Sequence, residues 1–217
     1  MSFRTGGVSS LGPYFAVDAL PADPAAAGWQ PLTDLLTPGS LEERVVSTRE
    51  ALGGTDVEER VAASTVALGL FSRLLSPAVG AAALGVPAPP VTLDATWWRP
   101  FETGPWPLAV EPHARAVDPG EMLTPLVERF ATGFALSRTV LWGNATSALF
   151  GAVAALRSMH PQLAPSAATY ASAVLARAPF AGTGDVVRGR FVRRSCCLYY
   201  RVPGGGYCGD CVLTQPQ

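Results

Sequence analysis

No cysteine occurs in the first 195 residues, and then four fall within sixteen: Cys196, Cys197, Cys208 and Cys211. Cysteines that staple a fold are spread along it, so clustering of this kind marks ligands or a local redox group. The remaining chain must therefore hold itself together by burial alone. It has the means, with 217 residues, 48% hydrophobic and only 15% charged. Net charge is −1, which argues against a nucleic-acid binder held by phosphate neutralisation. All sixteen cations are arginine, and five of them (Arg188, Arg190, Arg193, Arg194, Arg201) crowd toward the cysteines. The most apolar stretch, Val61 to Val86, is interrupted by Arg73 and Pro77, so neither half reaches the roughly 20 residues of a bilayer span. Arg4 is followed by Gly, Ser and Pro rather than by an apolar run, unlike a signal peptide. These features give the expectation of a cytoplasmic protein without a transmembrane span.

Three regions are expected. Residues 1–38, rich in Pro, Gly and Ala, read as an irregular N-terminal arm. Residues 39–181 read as a mainly helical domain. Ser40 with Glu43, and Asp56 with Glu59, have the spacing of capping boxes; the first helix should stop at Gly53 and the second by Pro77. Val91–Leu93 and Leu108–Val110 suggest a small hairpin around Trp97, Trp98 and Arg99. Asp118 followed by Pro119 opens a helix to about Ala135, Ser137 caps another over Arg138–Met159, and a third spans Ser166–Arg177. Gly182-Thr183-Gly184 reads as a hinge into residues 182–217, the metal-binding tail. The fold class is mainly α (α+β): a helical domain, a small β-hairpin element and a cysteine-rich C-terminal segment.

The tail reads Cys-Cys, ten residues, Cys, two residues, Cys. Two intervening residues let Cys208 and Cys211 point at one metal, with Gly209 easing the turn, and Gly204-Gly205-Gly206 folds the chain back toward the first pair. Adjacent Cys196 and Cys197 point to opposite faces of a regular strand, so sharing one centre requires a local twist. Spacing leaves a binuclear iron–sulfur cluster, a structural four-cysteine zinc site and a redox dithiol all open. His113 and His160 are isolated from acids at ligand spacing and read as structural. Trp97 and Trp98 read as core more readily than as a stacking pocket. Asn144, in an otherwise apolar helix, must find partners if buried. No dinucleotide fingerprint or phosphate-cradling loop with lysine is present.

The run Arg193-Arg194-Ser-Cys196-Cys197-Leu-Tyr-Tyr-Arg201, with Cys208-Gly-Asp-Cys211 after the ten-residue gap, resembles the C-terminal [2Fe–2S] segment of the FhuF-like ferric siderophore reductases. Residues 61–77 and 141–149 resemble that family's helical body more loosely. The resemblance implies Cys196, Cys197, Cys208 and Cys211 as ligands of a [2Fe–2S] cluster. It implies an enzyme, an iron–sulfur oxidoreductase that reduces Fe(III) in a ferric siderophore to Fe(II). Electrons would come from a separate donor, a ferredoxin or a flavin reductase, and peripheral association with a siderophore importer is compatible with the apolar composition. No general acid or base is needed. A four-thiolate cluster carries about −2 oxidised and about −3 reduced, so nearby cations favour reduction. Arg193, Arg194 and Arg201 are accordingly candidates for tuning the potential or steering substrate, and Asn144 for the cleft beside the cluster. The rival is a non-enzymatic siderophore- or protein-binding module with a zinc tail.

Overall fold

The computed structural model describes residues 6–111 and 113–214. The start of the N-terminal arm, with Arg4, and the last residues of the tail lie outside them. Among the described residues six α-helices and six short strands, with short 3-10 turns between them, follow in the order α1 (Gly6–Ser9), β1 (Asp18–Ala19), β2 (Gln30–Pro31), α2 (Ser40–Leu52), α3 (Glu59–Leu84), β3 (Thr96–Trp98), β4 (Leu108–Val110), α4 (Pro119–Gly133), α5 (Arg138–Met159), α6 (Ala164–Leu175), β5 (Gly184–Val187) and β6 (Arg190–Arg193). The class is the expected one: mainly helical, with little sheet.

Antiparallel β3 and β4 lie at the centre of a four-stranded sheet ordered β1-β4-β3-β2, with β1 parallel to β4. The hairpin exists, but its first strand is Thr96–Trp98 rather than Val91–Leu93. Thr92 and Thr96 bond backbone N–H groups around that earlier run and turn it instead, with the Thr92 N–H donating to Thr96 Oγ1 at 3.0 Å. Trp98 is buried against Trp106 at 5.3 Å, as a core residue.

The most extensive helix contact joins α3 to α5. Asp118 and Ser137 cap α4 and α5 as their sequence positions predict, accepting from the Gly120 and Val140 N–H groups at 2.8 and 3.2 Å. The start of α2 departs by one residue: Gly39 is the N-cap, and its N–H donates to the Glu42 carboxylate at 2.8 Å. The end of α3 departs further, because the helix runs through Pro77 to Leu84. An interior proline costs ~3 kcal/mol or more. Seventeen buried residues on α3, Val79, Ala81 and Ala83 among them, bury enough surface to offset it. Both α3 and α5 are thus long and apolar enough to cross a membrane by length and composition, contrary to the reading of the interrupted run. In the fold most of α3's surface, and more than half of α5's most apolar window, is packed inside the protein.

The N-terminal arm is irregular but not separate. Val8, Leu11, Phe15, Val17, Leu32 and Leu35 enter the main core with α3, α4 and α5. Arg73 of α3 is buried beneath it and donates to three backbone carbonyls: Trp106 and Ala16 at 2.6 Å, and Tyr14.

Candidate metal centre

The tail begins as a β5–β6 hairpin laid along α5. Gly182-Thr183-Gly184 is packed rather than hinged: Thr183 is buried with its hydroxyl 2.8 Å from that of Thr146, and a Cβ on Gly184 would meet the Phe191 ring at 2.4 Å. In β6 the alternation of the strand turns Phe191 and Arg193 to the buried face. Phe191 stacks on Phe150 of α5 at 4.9 Å and 7°. A notch at Gly143 admits the next turn of chain, since a Cβ there would stand 2.2 Å from Ser195 Oγ and 3.2 Å from an Arg193 nitrogen. Downstream, Val202 seals the tail against Val57 and Val61.

This scaffold brings both cysteine pairs to one end of α5. Cys196 and Cys197 lie past the end of β6, so strand alternation does not bind them, and Leu198, in the left-handed region at φ 71°, turns the chain directly after the pair. The Leu198 N–H donates to Cys196 Sγ at 3.3 Å, and the Leu213 N–H to Cys211 Sγ at 3.4 Å. Cys197 and Cys208 touch, sulfur to sulfur, at 3.6 Å. The backbone N–H of Arg193 donates to the Asp210 carbonyl at 3.2 Å, tying the strand before the first pair to the loop of the second. Ser147 of α5 donates to the Asp210 carboxylate. Cys197 and Cys211 are buried, whereas Cys196 and Cys208 reach partly to the surface beside exposed Tyr200 and Tyr207. The hydrogen bond with Cys208, helped by the Tyr199 N–H and then by Arg193, draws the Cys197 pKa down to about 6 against burial. That bond, burial and the Asp210 carboxylate hold the Cys208 proton tightly, and burial raises Cys196 as well.

A buried polar chain supports the first pair. Arg193, 1% exposed, donates to Asn144 Oδ1 at 2.6 Å; Asn144 Nδ2 donates to Ser64 Oγ at 2.9 Å; Ser64 Oγ donates to the Cys197 carbonyl at 2.8 Å. Arg193 Nε and Nη1 have no partner among the described residues. A buried guanidinium with two orphaned donors and no carboxylate is costly unless an anion completes it. The donor set and this orphaned charge fit a four-thiolate cluster, which would supply the missing negative charge. Among the described residues no three His, Cys, Asp or Glu side chains are placed to hold one metal ion, and Cys197 and Cys208 are a sulfur pair in contact.

Residues 193–213 match the family model described as the FhuF 2Fe-2S C-terminal domain. The cysteine tail is thus similar to a FhuF-type [2Fe–2S] domain. It spans 21 of the 217 residues, and comparison of the chain with curated proteins finds no match. The domain's cofactor sets the zinc tail aside.

Around the FhuF-like segment the sequence-derived candidates separate. Arg193 and Asn144 sit in the buried chain behind the cysteines. Arg194 does not: it is exposed and pairs bidentately with Asp185, both bonds 3.0 Å. Arg201 also lies at the surface, on Glu58 and Tyr200, where it ties the tail to the start of α3. His113 is exposed and His160 ends α5, neither near the cysteines. Ser64, Ser147, Ser195 and Asp210 escaped the sequence reading, because single serines and one aspartate carry no spacing signal. Phe191 and Arg193, two apart on a strand, were a legible hint that Arg193 turns inward.

Proposed function

We propose that the protein is a ferric-siderophore reductase, with Cys196, Cys197, Cys208 and Cys211 as cluster ligands. The single observation that carries the reading is the match to the FhuF [2Fe–2S] domain, whose Cys196 and Cys208 reach partly to the protein surface. When bound, the cluster supplies one-electron reduction. Siderophores offer hard oxygen ligands that hold Fe(III) far better than Fe(II), so one electron loosens the metal and no proton-transfer residue is required. Arg193 compensates the thiolate charge from the buried side, and Asn144 and Ser64 hold the Cys197 backbone in place. Cys196 and Cys208, with Tyr200 and Tyr207 around them, form the face that an external chelate reaches. A cavity of about 330 Å³ lined by Arg157, Arg190, Phe191 and Asp210 opens beside the second cysteine pair, with cations suited to an anionic chelate. The chain offers no nucleotide-binding fingerprint, so a separate ferredoxin or flavin reductase delivers the electron, in the cytoplasm where imported chelates arrive.

The test is anaerobic. Dithionite-reduced protein, freed of excess reductant, is mixed with ferric hydroxamate and ferric catecholate chelates in the presence of a ferrous-specific trap. The visible spectrum of the oxidised cluster should return as one trapped Fe(II) appears per cluster. A spectrum that stays bleached with both chelate classes would end this reading.

A further inference from the structure

Four sulfurs can divide between two irons in three ways, and the side chains favour one. Cys197 and Cys208 stand 3.6 Å apart, sulfur to sulfur. Two thiolates on one tetrahedral metal with bonds of ~2.3 Å are about 3.8 Å apart, so this pair is already spaced to share an ion. Spacing along the chain suggests Cys208 with Cys211 instead, yet those two are not the pair in contact. Cys196 and Cys211 each accept the N–H of the residue two positions on, at 3.3 and 3.4 Å, and the Tyr199 N–H acts on Cys197 in the same way, so these donors do not separate the pairs.

The two pairs also differ electrostatically. A carboxylate beside a thiolate disfavours added negative charge on the iron it binds. The Asp210 carboxylate lies against Cys208 and bears on Cys197 as well, opposing reduction of the iron that this pair would hold. Arg193 acts on Cys196 and Cys197 alike and so does not discriminate between the pairs.

We propose that Cys197 and Cys208 hold one iron of the cluster, that Cys196 and Cys211 hold the other, and that this second iron is the ferrous one in the reduced protein. The inference rests on the cluster and not on the chelate. A protein that loads iron and sulfide yet leaves ferric chelates untouched would sink the proposed reaction and leave this division standing.

The test uses the full chain loaded with ⁵⁷Fe, reduced by dithionite and read by Mössbauer spectroscopy, where ferric and ferrous sites give separate signals. Cys196→Ser and Cys211→Ser should each alter the ferrous signal, and Cys197→Ser and Cys208→Ser the ferric one. Cys208→Ser and Cys211→Ser altering the same signal would overturn the proposal. A second measurement needs no variant to retain its cluster. The unsubstituted chain, stripped of cluster and mildly oxidised, should form Cys197–Cys208 as its first disulfide by tandem mass spectrometry. Cys208–Cys211 forming first would overturn the proposal equally.

Discussion

Two of the described arginines are buried, and they are buried on different terms. Arg73 is 3% exposed and shares its guanidinium among three backbone carbonyls, which lash the N-terminal arm and the Trp106 loop to α3. Burial lowers its pKa to about 10, opposed by Asp18 and Tyr14, and at neutral pH it remains a cation. Arg193 is 1% exposed and has one protein acceptor, Asn144, with two donors left over. The first cation is complete in the polypeptide alone; the second is complete only with something negative beside it. Burial by itself therefore does not separate a structural arginine from one that serves a cofactor. The count of satisfied donors does.

The sharpest way to break this contrast is Arg73→Met. Three carbonyls lose their donor, and a loss of ~3–5 kcal/mol is expected in chemical denaturation, with the cluster's midpoint potential unchanged in whatever protein folds. A potential that moved with Arg73 would erase the distinction. Gly143→Ala probes the floor under Arg193. The added methyl meets Ser195 and Arg193, so the tail should lift, at a cost of ~1–3 kcal/mol, seen as faster hydrogen exchange over residues 184–214 while α3 stays protected. Arg193→Met should lower the midpoint potential by roughly 50–100 mV, whereas Arg194→Met, whose partner is Asp185 at the surface, should leave it within error. Equal shifts in both variants would mean that net charge alone acts.

The smallest effect concerns an exposed arginine. Hydrogen bonds from Arg60 and Arg201 hold the Glu58 carboxyl below the ordinary carboxylate range. A carboxyl with a depressed folded pKa contributes above its unfolded pKa of about 4.5 and loses that contribution as pH falls through the folded value. Glu58→Gln should therefore slightly speed tail hydrogen exchange at pH 7, where the contribution is present, and the difference from the unsubstituted chain should disappear in acid.

Much of this was legible in the residues. The caps at Asp118 and Ser137 are local chemistry, decided within three positions, and the structure keeps both. The class of fold followed from apolar periodicity, and the cofactor from the resemblance of the tail to the FhuF-like segment, since cysteine spacing alone left zinc and a dithiol open. What was hidden depends on packing across the chain. Pro77 ends a helix by local rules, but seventeen buried residues on α3 override them. Adjacent Arg193 and Arg194 look equivalent in sequence, yet strand alternation sends one inward to Asn144 and the other out to Asp185. Ser64 lies 133 residues from the Cys197 carbonyl it braces, beyond the reach of any spacing argument.

Gly143, Ser147 and Phe150 occupy positions i, i+4 and i+7 of α5, so one stripe of one helix meets Ser195, Asp210 and Phe191 in turn. The helix is in effect a jig against which both halves of the ligand set are aligned. Its opposite side is clamped to α3. A slight roll of that clamp, as from a core methyl removed far from any sulfur, would displace all three bearings together. Redox behaviour is thereby made sensitive to the packing of the protein's interior.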